Sequence, residues 1–580
     1  MRLEIISRIS TSIFRRYLSP SRLSFVFFLL LAVAGKKEKR GSGMTFKKLH
    51  FVVELARHGA RTPRLEQLKG LPGRPWNLPG GFLTAVGEAQ HAEIGRSVRQ
   101  RFVEDLGFLS LNFNSTEVHA RSTMYARTLM SAQAQLAGIY PPGSRPTLGE
   151  WQRRVITPES PVHSLSSFPV FSHPKSTDFL LMAGDAPCIQ EWQKEDMRKC
   201  PVWAEAERRI APLMKPIVEE AYGPGVIRFA LKSAQKLSPG LFQAFHFHDA
   251  LICMRTDGRE DEVPKISQTY EEALAVASRF VFSRLYSASH YGGAESFRFW
   301  SLVVDWLLWK RLEVEASSTS DSRRGAEEER GKEGVEASLR QRLEEDAGLA
   351  PLVTGDAFKK TKFLLLASHD STLIPVLTSL FDGWPGQPPE ASALFIELWE
   401  EREESTGESS FSVSLTLNGE PLRIPWCPVG TIAGAGGKTS GLTAWRRGRD
   451  MPQKSGGAGA CPDAAAGGVS FGTQGGDEGA SVWTEEDLNV PEDPYGIFWP
   501  HKHKQGATES LDDLGHFWAP GALRSSSSGS QNDEGDSAGG SNIGIHGFSC
   551  RLEDFIDGMA PRLSRIGQEL EKLCGNSCET

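Results

Sequence analysis

The stretch "VVELARHGARTPRLEQL", Val52 to Leu68, decides how this chain is read. An apolar, β-compatible run ends in two arginines that bracket a histidine and a glycine, and a proline follows. Extended backward to residues 48–56, "KLHFVVELA", the run predicts a buried strand closed by a glycine-containing turn. The strand end therefore delivers Arg57, His58 and Arg61 together.

Further along, Leu83, Val86, Ile94, Val98 and Phe102 fall at helical spacing, with Thr84 placed to cap the helix. A strand around residues 117–120 is expected next. "RSTMYARTLMSAQAQLAGIYPP", from Arg121, then predicts a helix stopped by Gly138 and Pro141-Pro142. Phe297 to Leu312 predicts an apolar core helix. Phe363 to Ala367 predicts a strand, Ser368-His369-Asp370 a turn, and Ser371 to Phe381 a helix. Phe395 to Trp399 and Phe411 to Leu417 predict further strands. Alternating strands and helices imply an α/β domain, whose ligands collect at the carboxyl ends of the strands. Three such ends carry unusual chemistry: Arg57, His58 and Arg61 at the first, Arg121 at the second, His369 and Asp370 at the third.

Clustered guanidiniums repel one another unless an anion joins them, and their planar forks suit phosphate oxygens. A neutral imidazole among them can attack phosphorus, while the arginines stabilise the transferring group. The positive neighbours lower the histidine's pKa and keep the attacking nitrogen unprotonated. Asp370, at a helix start, can protonate the leaving alkoxide, which favours acidic conditions. The helix N-terminus adds its partial positive charge. No metal or cofactor is required by this scheme. Taken singly, His58 reads as a structural histidine, Arg121 as a surface arginine and Asp370 as an ordinary N-cap. It is the combination that carries the functional reading.

Composition bounds the alternatives. A chain of 580 residues has room for two or more domains, and its formal net charge of -7 excludes a general nucleic-acid binder. Arg2, Arg8, Arg15, Arg16 and Arg22 precede the apolar run Leu23 to Gly35, which is too short to span a bilayer comfortably and ends in small residues. Residues 1–43 thus read as a secretory signal and basic linker. An uncleaved anchor, the one route to membrane contact, and a start at Met44 are the other readings. Residues 151–290 read as a lobe over the main domain. Residues 315–348, charged and Ser-rich, read as a solvated or disordered insertion, and residues 428–545 as a low-complexity, disordered one. Asn114-Ser115-Thr116 is a glycosylation sequon. "HFHD", His246 to Asp249, is a weak metal signal.

Arg57-His58-Gly59-Ala60-Arg61-Thr62-Pro63 resembles the R-H-G-x-R-[ST]-P motif of histidine acid phosphatases, and "SHDSTL" resembles the second motif of that family. "RSTMYARTLMSAQAQLAGIYPP" resembles its R-S-T-D-x-x-R-T stretch, with Met124 where an acid is usual. "NGEPLRI" and "CRLEDF" resemble its closing strand and C-terminal helix. The resemblance is nearest to the prostatic and lysosomal branch. It implies a mixed, mostly parallel sheet flanked by helices, as in phosphoglycerate mutase, with a smaller helical cap. It also implies hydrolysis of phosphate monoesters through a phosphohistidine at His58. Arg57, Arg61, Arg121 and His369 would then hold the phosphate, and Asp370 would be the acid. A segment centred on an aspartate such as Asp249 is structural in the family. Ala393 replaces a frequent cysteine and leaves Cys253 without its usual partner. The resemblance allows Cys427 to pair with Cys550, and Cys188 with Cys574 or Cys578. The resemblance allows a homodimer by analogy, while the leader implies the secretory pathway, with the protein secreted or in an acidic vacuole-like or lysosome-like compartment. A phytase-like phosphohydrolase and a non-catalytic phosphate-binding scaffold are the competing functions.

Overall fold

The computed structural model describes residues 45–64, 76–142, 168–224, 231, 235–286, 292–318, 322–381, 387–403, 409–427 and 549–574. The leader, the "YGIFWPHKHK" segment and the stretch expected to be low in structure at 428–545 lie outside them.

The first strand, β1 (Thr45–Arg57), alternates its side chains between two apolar layers. Phe51, Val53 and Leu55 enter one core with Trp300, Trp306 and Leu339. Val52 and Ala56 enter a second with Ile94, Val98 and Leu136. Burial on both faces is why the strand reads as a continuous apolar run. Beside β1 lie β4 (Phe363–Ser368), then β2 (Val118–Thr123), then β3 (Phe171–His173), all parallel. On its other side lie β5 (Ala393–Glu403), β6 (Ser409–Leu417) and β7 (Glu420–Leu422), all antiparallel, with β8 (Ser549–Arg551) against β6. The sheet is mixed: its parallel half carries the strand ends of interest, and its antiparallel half is built from the later hairpins.

Helices α1 (Ala85–Val98) and α2 (Ala126–Ile139) cover the second core. Thr84 caps α1, its side chain accepting from the Gly87 amide. The helix expected from Arg121 begins five residues later. Arg121 to Thr123 remain in β2 because both neighbouring strands pair with them: Arg121 faces Leu366 and Phe171, and Ser122 faces Ala367 and Ser172.

Helices α3 (Pro187–Lys199), α4 (Pro201–Tyr222), α5 (Pro239–Thr256) and α6 (Gln268–Tyr286) follow. The last three pack around a cluster of their own that includes Trp203, Ile210, Phe247, Leu274 and Phe280. Helices α7 (Gly292–Ser318) and α8 (Ser322–Glu344) close the first core. The charged tract expected to be a solvated loop is therefore largely helix. Its Glu, Arg and Ala residues favour helix, and Val335, Leu339 and Leu343 fall four apart along one stripe. Leu339 and Leu343 are fully buried. After β4 comes α9 (Asp370–Thr378), and α10 (Leu552–Cys574) ends the described chain. Cys427 and Cys550 form a disulfide, and Cys253 is free and buried.

Candidate active site

Because β1, β4 and β2 are parallel, Arg57, Ser368 and Thr123 end their strands on one edge of the sheet. The His58 amide donates to the Ser368 carbonyl at 3.0 Å, and the Ala391 amide donates to the His58 carbonyl at 2.8 Å. The Gly59 amide donates to Ser131 Oγ at 3.2 Å. A glycine is needed there: a Cβ at position 59 would lie 2.5 Å from the Gly87 carbonyl oxygen, so the turn nests against the start of α1.

His58 Nδ1 lies 2.9 Å from the Gly59 carbonyl oxygen. A carbonyl can only accept, so Nδ1 carries the proton and Nε2 keeps its lone pair. Burial, then Arg127, Arg57, His369 and Arg61, push the His58 pKa far down, which leaves the ring neutral in acid.

Three buried guanidiniums flank this ring. Arg57 donates to the Pro388 carbonyl and pairs with Asp370 Oδ2 at 2.9 Å. Arg61 donates through Nη2 to both Asp249 oxygens, at 2.7 and 2.9 Å. Asp249 comes from α5, so the helical lobe supplies the carboxylate that fixes Arg61, and this is what the "HFHD" stretch does here. Arg127, at the start of α2, donates to His369 Nδ1 at 3.1 Å and lies over the Tyr125 ring. Burial and the nearby Arg64 and Arg61 oppose its charge. The Nε–H groups of Arg57, Arg61 and Arg127 are all buried and have no hydrogen-bond partner among the described residues. Unpaired buried donors of this kind are costly, and an anion among the three guanidiniums would satisfy them.

His369 accepts from Arg127 at Nδ1, so its Nε2 carries the proton and donates to Thr123 Oγ1 at 2.9 Å. Thr123 passes the chain on to Thr128 Oγ1 at 2.8 Å, which donates to main-chain carbonyls. The His369 ring centroid is 5.5 Å from that of His58. Asp370 begins α9. Its Oδ1 accepts from the Ser371 amide and its Oδ2 from Gln387 Nε2, at 2.8 and 2.9 Å. Burial pushes this carboxyl up, but Arg57, Gln387, Arg64 and Arg61 outweigh it and hold Asp370 well below the usual range. Asp370 is thus held as a carboxylate, whereas the role expected from the sequence needs it protonated at least part of the time.

Of the six residues singled out from the sequence, five converge here: Arg57, His58, Arg61, His369 and Asp370. Arg121 does not. It lies within a strand rather than beyond its end, so its side chain leaves the sheet face. There it is enclosed by Asp178, at 2.5 and 2.8 Å, and Asp346, at 2.7 Å. Arg127 takes the place expected of Arg121. The signal was present in the same stretch, where a second arginine follows after six positions. Extending the helix back over Arg121 hid which of the two stands past the strand end.

Residues 48–199 match the model of the histidine phosphatase superfamily, branch 2. Lysosomal acid phosphatase of Homo sapiens is 28% identical over 395 residues, covering 66% of this chain and 75% of that protein. Prostatic acid phosphatase of Bos taurus is 34% identical over 174 residues, covering 29% of this chain and 40% of that protein. Among solved structures, the phytase of Klebsiella sp ASR1 aligns with a TM-score of 0.41 at 17% identity, covering 67% of this chain and 92% of that one.

Proposed function

The chain belongs to the histidine acid phosphatase family, and from that membership we propose that it hydrolyses phosphate monoesters by way of a phosphohistidine at His58. The observation that carries this reading is the set of three unpartnered Nε–H groups on Arg57, Arg61 and Arg127 around a neutral imidazole. A tetrahedral oxyanion supplies the acceptors those donors lack.

In the first step His58 Nε2 attacks phosphorus, and the bond from phosphorus to the ester oxygen breaks. Arg57, Arg61 and Arg127 offset the charge on the equatorial oxygens. His369 positions Arg127, and Thr123 positions His369. The departing alkoxide takes a proton from Asp370. That proton arrives with the substrate: the bound phosphoryl group neutralises Arg57, which releases its hold on Asp370 and raises the carboxyl toward the acidic working range. In the second step water attacks the phosphohistidine and gives a proton to Asp370. Phosphate leaves, and His58 returns neutral. The protein's own groups carry both steps.

The Cys427–Cys550 disulfide supports an oxidising, secretory route for this reading. The test of function is release of p-nitrophenol from p-nitrophenyl phosphate at acidic pH. His58→Ala abolishes turnover under this proposal; undiminished turnover would remove His58 from the mechanism.

A further inference from the structure

At the edge of the sheet opposite His58 lies a cavity of about 610 Å³. Lys47 and Lys48 enter it from the start of β1, Lys310 from α7, and Lys359, Lys360 and Lys362 from the segment that leads into β4. Glu117 alone among the lining residues carries a carboxylate. Ten residues of β1 separate Lys48 from His58, roughly 30 Å at ~3.3 Å per residue, so this cavity is separate from the arginine cluster. Six lysines around one space are notable in a chain whose net charge is -7.

The carboxylates nearby neutralise them only in part. Lys47 pairs with Glu401 at 2.6 Å and Lys362 with Glu117 at 2.8 Å. Lys359 reaches Glu336 and Asp356, at 3.2 and 3.1 Å, but both of these also hold Arg340. Glu400, the cross-strand neighbour of Lys48, is engaged by His50 at 2.8 Å and Ser409 at 2.5 Å. Lys48 and Lys360 have no carboxylate at ion-pair distance among the described residues. Lys310 is the independent sign. It is only 6% exposed, and its ammonium meets the Lys359 carbonyl at 2.8 Å, Glu313 at 3.7 Å and the Trp309 ring, whose centroid is 5.1 Å away. A lysine this buried is normally paired with a closer counter-charge. Burial, eased by Glu313 and deepened by Lys362, pulls its pKa down to about 8. Trp399 and Phe108 supply an apolar wall, which raises the strength of charge pairing inside the cavity.

We propose that this cavity is a second ligand site, built for a compact small molecule that carries several phosphate groups. Its volume exceeds the needs of a single phosphate, and its cations enter from three chain segments rather than from one fork. That arrangement suits several anionic groups spread over one ligand.

The test uses the full chain with orthovanadate occupying the His58 site, titrated calorimetrically with myo-inositol hexakissulfate, a polyanion whose groups a phosphatase does not remove as phosphate. One equivalent binds the vanadate-loaded protein. The variant Lys48→Glu/Lys360→Glu, altered at two exposed positions, binds at least tenfold more weakly while hydrolysing p-nitrophenyl phosphate at the parent rate. The double variant keeps the parent's inhibition by orthovanadate, which separates this site from the proposed catalytic one. Absence of binding to the vanadate-loaded chain, or equal affinity in the double variant, would overturn the proposal.

Discussion

Arg57 and Asp370 sit at the ends of adjacent parallel strands, with guanidinium nitrogen and carboxylate oxygen 2.9 Å apart. The ion pair couples the state of one group to the charge of the other. While Arg57 faces Asp370 alone, the carboxyl is held ionised; when a phosphoryl group shares Arg57, the carboxyl can bind a proton. Under the proposed mechanism, proton donation is thereby tied to occupancy of the site.

The first prediction concerns this coupling. Asp370→Asn slows an alkyl phosphate, whose leaving group needs a proton, far more than p-nitrophenyl phosphate, whose leaving group does not. A difference of about 10²-fold or more fits the usual contribution of general acid catalysis. The check is kcat for both substrates with each protein. Equal slowing would assign Asp370 a structural role only.

The two arginines of "RSTMYART" are predicted to fail in opposite ways. Arg121→Met leaves Asp178 and Asp346 as buried, uncompensated carboxylates, a loss of ~3–5 kcal/mol in stability. Arg127→Met removes a buried cation that has no carboxylate at ion-pair distance among the described residues, so its melting temperature holds or rises. Its kcat/KM falls by about 10² or more, the scale of one lost transition-state donor. Thermal melts and steady-state kinetics on both variants distinguish the cases.

Buried carboxyls set a prediction on pH and stability. Burial pushes Glu54 up to about 8, against the opposing hydrogen bond from Gln135. Glu390 is pushed up to about 7 by burial, against Arg57 and Arg61. Between the ordinary glutamate range and these values the folded state holds protons that the unfolded chain has released. Stability therefore falls as pH rises through that interval. The buried histidines His58, His91, His119, His248 and His369 are all lowered. Their effect has the opposite sign and is complete once pH exceeds about 6.5, the free histidine value. Between that point and the onset of Lys310 deprotonation near pH 8, which acts in the opposite sense, the carboxyls dominate, so the melting temperature declines over this interval. Glu54→Gln flattens the decline. A melting temperature that rises over this interval would refute the assignment.

Cys427 and Cys550 bring distant parts of the chain to a Cα separation of 5.4 Å across 123 positions. Residues 428–548 can therefore be replaced by a short linker without moving β7 or β8. The shortened chain is predicted to hydrolyse p-nitrophenyl phosphate at the parent rate. Breaking the bridge in the full chain, with Cys427→Ser, costs about 4–5 kcal/mol if loop closure dominates. Urea denaturation of each form provides the comparison.

Much of this architecture was legible because the signals were local. The apolar run of β1, the Thr84 cap and the His58 and Asp370 turns each depend on residues a few positions apart. Two readings failed where the deciding contacts are remote. Residues 315–348 looked solvated by composition, yet Leu339 and Leu343 are buried where α8 packs back on α7, a contact that composition alone does not show. Arg121 looked like a ligand because its strand end could not be located without its neighbours. The carboxylates that claim it, Asp178 and Asp346, lie 57 and 225 positions on. The held-down state of Asp370 was equally hidden, since Arg57 and Gln387 come from other segments.

The most direct measurement is acid-stable-versus-acid-labile phosphoryl trapping. The protein is mixed with radiolabelled phosphate monoester, quenched in alkali within the first turnover and digested for mass spectrometry. The account predicts one phosphoryl group on the peptide that contains His58, lost on acid treatment and absent from His58→Ala. Label on another residue, or label that persists in His58→Ala, would contradict it.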